Sequence, residues 1–259
     1  MINFLTKLYE NGLAYSTVNT YRSALSSTLA PIAGYKVGEH PLVIRLLKGV
    51  FNQRPPIKTL TPAWSVQKVL ALLKNWSPIE KVDMRCLSYK TLMLIALSSA
   101  KRVSSLAMLS IEEGYSNISE NRISFQPCGL KKKSRVDHIA PPIVIESFHD
   151  SELDPVICVK EYIKRTKDIR QTSAFFVTIQ KPHKAAVKAT LSSWIIKVIK
   201  QSGQSGSSGS IRSVSSSKAV YSGATLETVM AAGDWVREST FARHYYRPNT
   251  LSFAEAVLK

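Results

Sequence analysis

The sequence predicts a mainly α protein with a small β-sheet, and three observations carry that expectation. Apolar residues recur at helical spacing over most of the 259-residue chain. Residues 121–141 switch to alternation, the period of a strand. Between the helical stretches, Arg54-Pro55-Pro56 opens a Pro-rich break that runs to Pro62. That break separates a helical N-terminal domain, residues 1–60, from a larger mixed domain, residues 61–259.

Each element has its own signal. Phe4, Leu5 and Leu8 share one face of a first helix ended by Asn11-Gly12. Ser16 is the expected N-cap of a second, with Val18, Tyr21, Leu25 and Leu29 on its apolar side. The opposite side carries Asn19, Arg22, Ser23 and Ser26, groups suited to phosphates or simply to solvent. Pro41 to Phe51 forms a third helix, bearing Arg45 and Lys48. In the larger domain Val66, Val69, Leu70, Leu72 and Leu73 make a buried stripe, and Leu87 to Leu97 is apolar nearly all round, as in a central helix. A short helix, Val103 to Leu109, follows Lys101-Arg102, so the arginine is expected in the core, either paired or facing a ligand anion. Arg122 to Gln126 alternates as a strand, with Val136 to Ile139 as its return partner and Lys131-Lys132-Lys133 near the hairpin tip. On its own such a basic run is more often a solvated loop. Helices are expected over 155–169 and 185–200, an extended segment over 174–179, and a flexible Gly/Ser tract over 201–210. That tract lacks the Gly-Lys-Ser/Thr ending of a phosphate-cradling loop, which argues against nucleotide binding.

Charge narrows the partners. A formal net charge of +17 and a pI near 9.9 favour a polyanion, most often nucleic acid, over a membrane surface. No apolar run approaches the roughly 18 residues of a membrane span. The N-terminus does not read as a secretory signal, and its immediate start on a helix is what a fragment of a longer protein would show. Cys86, Cys128 and Cys158 are widely spaced, supporting neither a disulfide framework nor a zinc site.

Several segments, in this order, resemble the tyrosine recombinases, the phage-integrase-like family. They are YSTVNTYRSALSS, VGEHPLVIRLLKGVFNQRPP, KRVSSL, IRSVSSSKAVYSGATLETVMAAGDW and STFARHYYRP, of which WVRESTFARHYYR is the most specific. The wording is closest to recombinases of DIRS-type and Crypton-type mobile elements. The resemblance implies a helical core-binding domain and an α+β catalytic domain forming a clamp on double-stranded DNA, which is cut and rejoined through a 3′-phosphotyrosyl intermediate. It implies Arg102 and Arg212 as the arginines neutralising the phosphate, where another enzyme would use a metal. Lys132 would be the general acid, flanked by Lys131 and Lys133, and Trp235 an indole donor. Tyr245 is the implied nucleophile, favoured over adjacent Tyr246 by the STF-x-x-x-Y spacing. Arg22 and Arg45 would contact DNA, with Lys131 and Lys133. The resemblance further implies no metal or nucleotide cofactor, a tetrameric assembly on DNA through the apolar tail 251–258, and a nuclear location.

Two departures stand out. Gly209 occupies the place of the family's H-x-x-R histidine, and Ser105 that of an acidic residue after the first arginine. His138 and His244 are the nearest substitutes. A recombinase that has lost turnover and only binds DNA is therefore an alternative reading. A third is a helical interaction module, since a tryptophan in a core and a tyrosine pair on an apolar patch are common without any catalysis.

Overall fold

The computed structural model describes residues 1–56, 64–126, 128–129 and 141–247. They belong to two compact units, Met1–Thr61 and Pro62–Lys259.

The first unit packs three α-helices, α1 (Ile2–Glu10), α2 (Tyr15–Thr28) and α3 (Pro41–Gln53), around Leu5, Val18, Val43 and Leu47. Gly12, at φ +83°, ends the turn after α1 in a conformation that favours glycine. The helix α2 starts one residue before the expected cap, after Ala14, so Ser16 lies inside its first turn. Of its expected apolar stripe only Val18 is buried, while Tyr21 and Leu29 are exposed. The opposite face packs instead, against the short turn Val37–Glu39. Arg22 Nη1 donates to the Gly38 carbonyl at 2.9 Å, and Gly38 N–H donates to Ser26 Oγ at 3.0 Å. A Cβ at position 38 would lie 2.6 Å from that of Ser26, so this approach requires glycine. Arg54 closes the unit by donating to the carbonyls of Tyr9 (3.1 Å) and Leu13 (3.2 Å).

The second unit is built on α5 (Met84–Ser99), in which every residue from Leu87 to Ala96 is buried. Asp83 caps it, its Oδ1 accepting from the N–H groups of Arg85 and Cys86 at 2.7 and 2.9 Å. One charged residue interrupts this run, beside the buried hydroxyls of Ser88 and Thr91. Lys90 is 1% exposed and donates to the Trp76 carbonyl at 2.6 Å, and burial lowers its pKa. Around α5 pack α7 (Pro155–Thr166), α8 (Lys188–Gln201), α9 (Ile211–Tyr221) and the sheet, and α4 (Val66–Lys74) packs in turn on α8 and α9.

The sheet has three antiparallel strands in sequence order: β1 (Ser116–Ile118), β2 (Arg122–Phe125) and β3 (Ile143–Glu146). Ile123 and Phe125 of β2 face inward opposite Ile145 and Ile143, as period-2 patterning requires. Both edges of β2 are occupied, by β1 and β3, which corrects the expected return strand at 136–139. Those four residues themselves lie outside the described ones. The segment 174–179 makes only isolated bridges, Ser110 with Ala174 and Val177 with Ala185; the second keeps Ala185 out of α8, which begins at Lys188. The helix α6 is shorter than expected, Val103–Leu106, and α10 (Leu226–Gly233) and α11 (Glu238–His244) complete the unit.

Candidate active site

The site is organised by the start of α9, and what holds that start is the segment expected to be flexible. Gly/Ser composition gives the tract from 201 to 210 little to bury by itself, but it is fixed by Trp64 and Ser65 at the other end of the unit's sequence. The Trp64 indole donates to Ser210 Oγ at 2.8 Å. Gln204 exchanges two hydrogen bonds with the Ser65 backbone, at 2.6 and 3.1 Å. Gly206 lies so close to the Trp64 ring that a Cβ would meet Cδ1 at 2.5 Å. Smallness here serves close packing, which corrects the expectation of flexibility. The following residues of α9 are buried serines whose hydroxyls bond back to helix carbonyls, Ser213 to Ser210 at 2.9 Å and Ser216 to Arg212 at 2.7 Å. Satisfied in this way, they let α9 lie against α5 without a polar penalty.

Arg212 projects from this helix into a cage. It is 3% exposed, and its Nη2 donates to the Gly233 carbonyl. Its guanidinium carbon lies 4.1 Å from the centre of the Trp235 ring and 4.9 Å from that of Tyr245. Both ring faces favour the cation. Burial, and then the charge of Arg102, push its pKa down to about 10, still far enough above neutrality to keep it charged. Arg212 Nε and Trp235 Nε1 are buried donors without an acceptor among the described residues. Unpaired buried donors are costly, so two side by side need an explanation.

The Trp235 ring is placed by the end of α10. Asp234 takes a left-handed φ of +53°, and the N–H groups of Trp235 and Asp234 return to the carbonyls of Met230 and Ala231 at 3.0 and 3.1 Å. This reversal folds the indole back over Gly233, where a Cβ would be 1.8 Å from Cζ3. Trp235, Val229 and Phe241 form a small core of their own, against which Tyr245 and Tyr246 pack. The two tyrosines are not equivalent. Tyr245 lies 4.8 Å from Trp235 and faces Arg212, whereas Tyr246 turns toward Phe241 and Tyr221, at 5.9 and 6.3 Å.

The other candidates are distributed as follows. Arg102 caps α6 and is exposed; Lys101 is the buried member of the pair, at 8%. The left-handed Ala100, φ +49°, turns the chain between them and α5, which corrects the expected core arginine. Arg102 nevertheless reaches Arg212 electrostatically. Ser105 is buried, and His244 is exposed at the end of α11. Gly209 is exposed, and a Cβ there would meet only Ser207 Oγ, at 3.9 Å. Lys131, Lys132, Lys133, His138 and the tail 251–258 lie outside the described residues. Arg22 and Arg45 belong to the first unit; Arg45 is exposed, and Arg22 is engaged by Gly38, Asn19 and Ser23. Trp64 and Gly233 also build the site; the sequence displays a tryptophan after a linker and a glycine before Asp-Trp, but not what they touch. Among the described residues no three His, Cys, Asp or Glu side chains converge as a metal site, and no helix is long and apolar enough to cross a membrane.

A buried guanidinium, an unpaired indole N–H and a phenol in mutual contact can hold a tetrahedral oxyanion and present an oxygen nucleophile to it. No protein-family model and no curated protein matches the sequence. Solved structures do match in fold. An XerA recombinase aligns over 96% of this chain and 86% of its own, with a TM-score of 0.54 and 13% identity. A Tn1549 transposon integrase in complex with transposon right-end DNA aligns over 98% of this chain and 81% of its own, with a TM-score of 0.62 and 11% identity. A lambda integrase dimer bound to a COC′ core site aligns over 97% of this chain and 81% of its own, with a TM-score of 0.53 and 13% identity. The chain shares the fold of these recombinase and integrase structures, mainly α with a small three-stranded antiparallel sheet.

Proposed function

We propose that this protein cleaves and rejoins double-stranded DNA as a tyrosine recombinase or integrase of a mobile element. The observation that carries the reading is the pair of orphan donors, Arg212 Nε and Trp235 Nε1, in contact with Tyr245. A DNA phosphate supplies the acceptors that these donors lack. Arg212 and Arg102 then neutralise the charge growing on the nonbridging oxygens. The Tyr245 hydroxyl oxygen bonds to phosphorus as the bond to the 5′ oxygen breaks; the phenolic proton leaves, and Lys132 returns one to the 5′ oxygen. The phosphotyrosyl link conserves the bond energy for rejoining. The positive charge of the chain supports a backbone-dominated grip on duplex DNA, with Arg22, Arg45, Lys131 and Lys133 contributing. Structural neighbours captured on DNA, one of them as a dimer, support assembly of several copies on the substrate. The DIRS- or Crypton-like wording of the sequence supports a eukaryotic element and a nuclear location.

Nicked duplexes from a random-sequence library, incubated with the protein, should yield a covalent protein–DNA adduct that survives denaturation. Tyr245→Phe should abolish it and Tyr246→Phe should not. No adduct with any member of the library overturns the reading.

Gly209 favours one second reading, a recombinase that binds DNA without turning it over. The open space around position 209 allows a direct comparison. Gly209→His should fold normally and, in an active enzyme, raise the rate of adduct formation by on the order of tenfold or more. A binding-only protein stays without adduct even as Gly209→His, while retaining strongly salt-dependent DNA affinity.

A further inference from the structure

We infer that Ser217, assisted by Tyr221, is a positioning residue that clips the tyrosine-bearing segment to the helix carrying Arg212. The inference rests on the strand-transfer reading of Tyr245. Ser217 lies on α9, five residues beyond Arg212, and is 4% exposed. Its hydroxyl uses both of its capacities on one short piece of chain. It accepts from the Arg247 N–H at 2.9 Å and donates to the Tyr245 carbonyl at 3.3 Å. One turn further along α9, the Tyr221 hydroxyl donates to the Arg247 carbonyl at 2.6 Å.

The geometry has a consequence for the reaction. The helix α11 ends at His244, so the helical ladder does not continue past Tyr245. Its own N–H and that of Tyr246 both return to the Phe241 carbonyl, at 2.8 and 2.9 Å, which fixes the chain before the tyrosine. The clip fixes the chain after it. Between these restraints the backbone of Tyr245 is held against α9, and only the side-chain torsions remain to bring the hydroxyl to phosphorus. Arg212 is seated on the same helix, so the anion site and the nucleophile share one rigid reference. Displacing a reacting atom by about 1 Å costs on the order of a hundredfold in rate.

Phosphate activation and tyrosine delivery can be measured separately. In Tyr245→Phe, added hydrogen peroxide can attack phosphorus in place of the phenol; an oxygen–phosphorus bond forms, the 5′ oxygen leaves with a proton from Lys132, and the peroxide proton goes to solvent. That reaction needs the arginines but not the clip. Ser217→Ala should lower single-turnover adduct formation by roughly ten- to a hundredfold. In the Tyr245→Phe background it should leave peroxide-driven strand cleavage unchanged. Tyr221→Phe, at a partly exposed position that tolerates the change, should lower adduct formation several-fold with the same peroxide result. Wild-type adduct rates in both variants overturn the clip, as does an equal fall in the tyrosine and peroxide reactions, which would mark Ser217 as general scaffolding. Absence of both reactions in otherwise wild-type protein overturns the strand-transfer reading and the clip with it.

Discussion

Arg212 and Arg102 bring the same guanidinium into opposite surroundings. Arg212 is almost fully buried, stacked on two aromatic rings and tied to the Gly233 carbonyl, with Nε unpaired among the described residues. Arg102 caps a short helix with its side chain in water. The buried one is preorganised: it needs no reordering to meet an anion, but its desolvation and unpaired donor weigh against folding. The exposed one is solvated, cheap to carry, and must be ordered when a ligand arrives. After burial, the charge of Arg102 is the second cause that lowers the pKa of Arg212, and an anion between the two relieves that repulsion.

The sharpest way to break this comparison is to replace each fork by a point charge. Arg212→Lys should reduce single-turnover adduct formation by about 10²–10³-fold, because an ammonium cannot reproduce the stacked, planar donor set. Arg102→Lys should lose roughly tenfold or less, since a flexible cation in water can still approach the phosphate. Equal losses would mean that burial confers no advantage.

The frame around Arg212 should be less tolerant than the loop before it. Gly233→Ala places a methyl 1.8 Å from the Trp235 ring and should cost about 1–3 kcal/mol of unfolding free energy, read by urea denaturation. Gly209→Ala, with nothing nearer than 3.9 Å, should stay within about 0.5 kcal/mol of wild type.

The smallest effect is the most informative about cost. Burial holds the folded pKa of Arg212 at about 10, below the usual arginine range. Between that value and the usual range the unfolded chain holds the proton that the folded chain releases. The Arg212 contribution to unfolding free energy therefore rises with pH across that window, and the burden is fully present at neutrality. Arg212→Met should consequently unfold at neutral pH with a free energy equal to wild type or about 1–2 kcal/mol above it, while losing the adduct. The difference between the two proteins should shrink above pH 10. Arg102→Met should leave stability within about 0.5 kcal/mol. A clear loss of stability in Arg212→Met would show that the cage holds the cation as a structural element.

Much of the architecture was legible because it is local. The all-round apolar run of α5, the proline at the first position of α3 and of α7, and the alternation of β2 each write their structure within a dozen residues or fewer. The partner of β2 was not legible, because a four-residue strand has too little pattern to choose between Val136–Ile139 and Ile143–Glu146. Lys101 is buried in place of the expected Arg102 because one left-handed residue, Ala100, redirects the chain at the helix junction. The polar face of α2 read as solvated or DNA-facing, yet Arg22 and Ser26 spend bonds on Gly38, which lies 16 and 12 residues away in sequence.

What the sequence determined by itself was the helical and strand content, the excess of positive charge, and the ordered set of arginine, tryptophan and tyrosine motifs. These follow from residue type and from spacings of one or two turns. Tertiary structure decided that the Gly/Ser tract is held firm by Trp64, across 146 positions of sequence, and that Tyr245 faces the guanidinium while Tyr246 turns away. It also decided which of the cage's buried donors are left without an acceptor. Satisfaction of a donor depends on every atom around it, and those atoms come from parts of the chain that no local pattern relates.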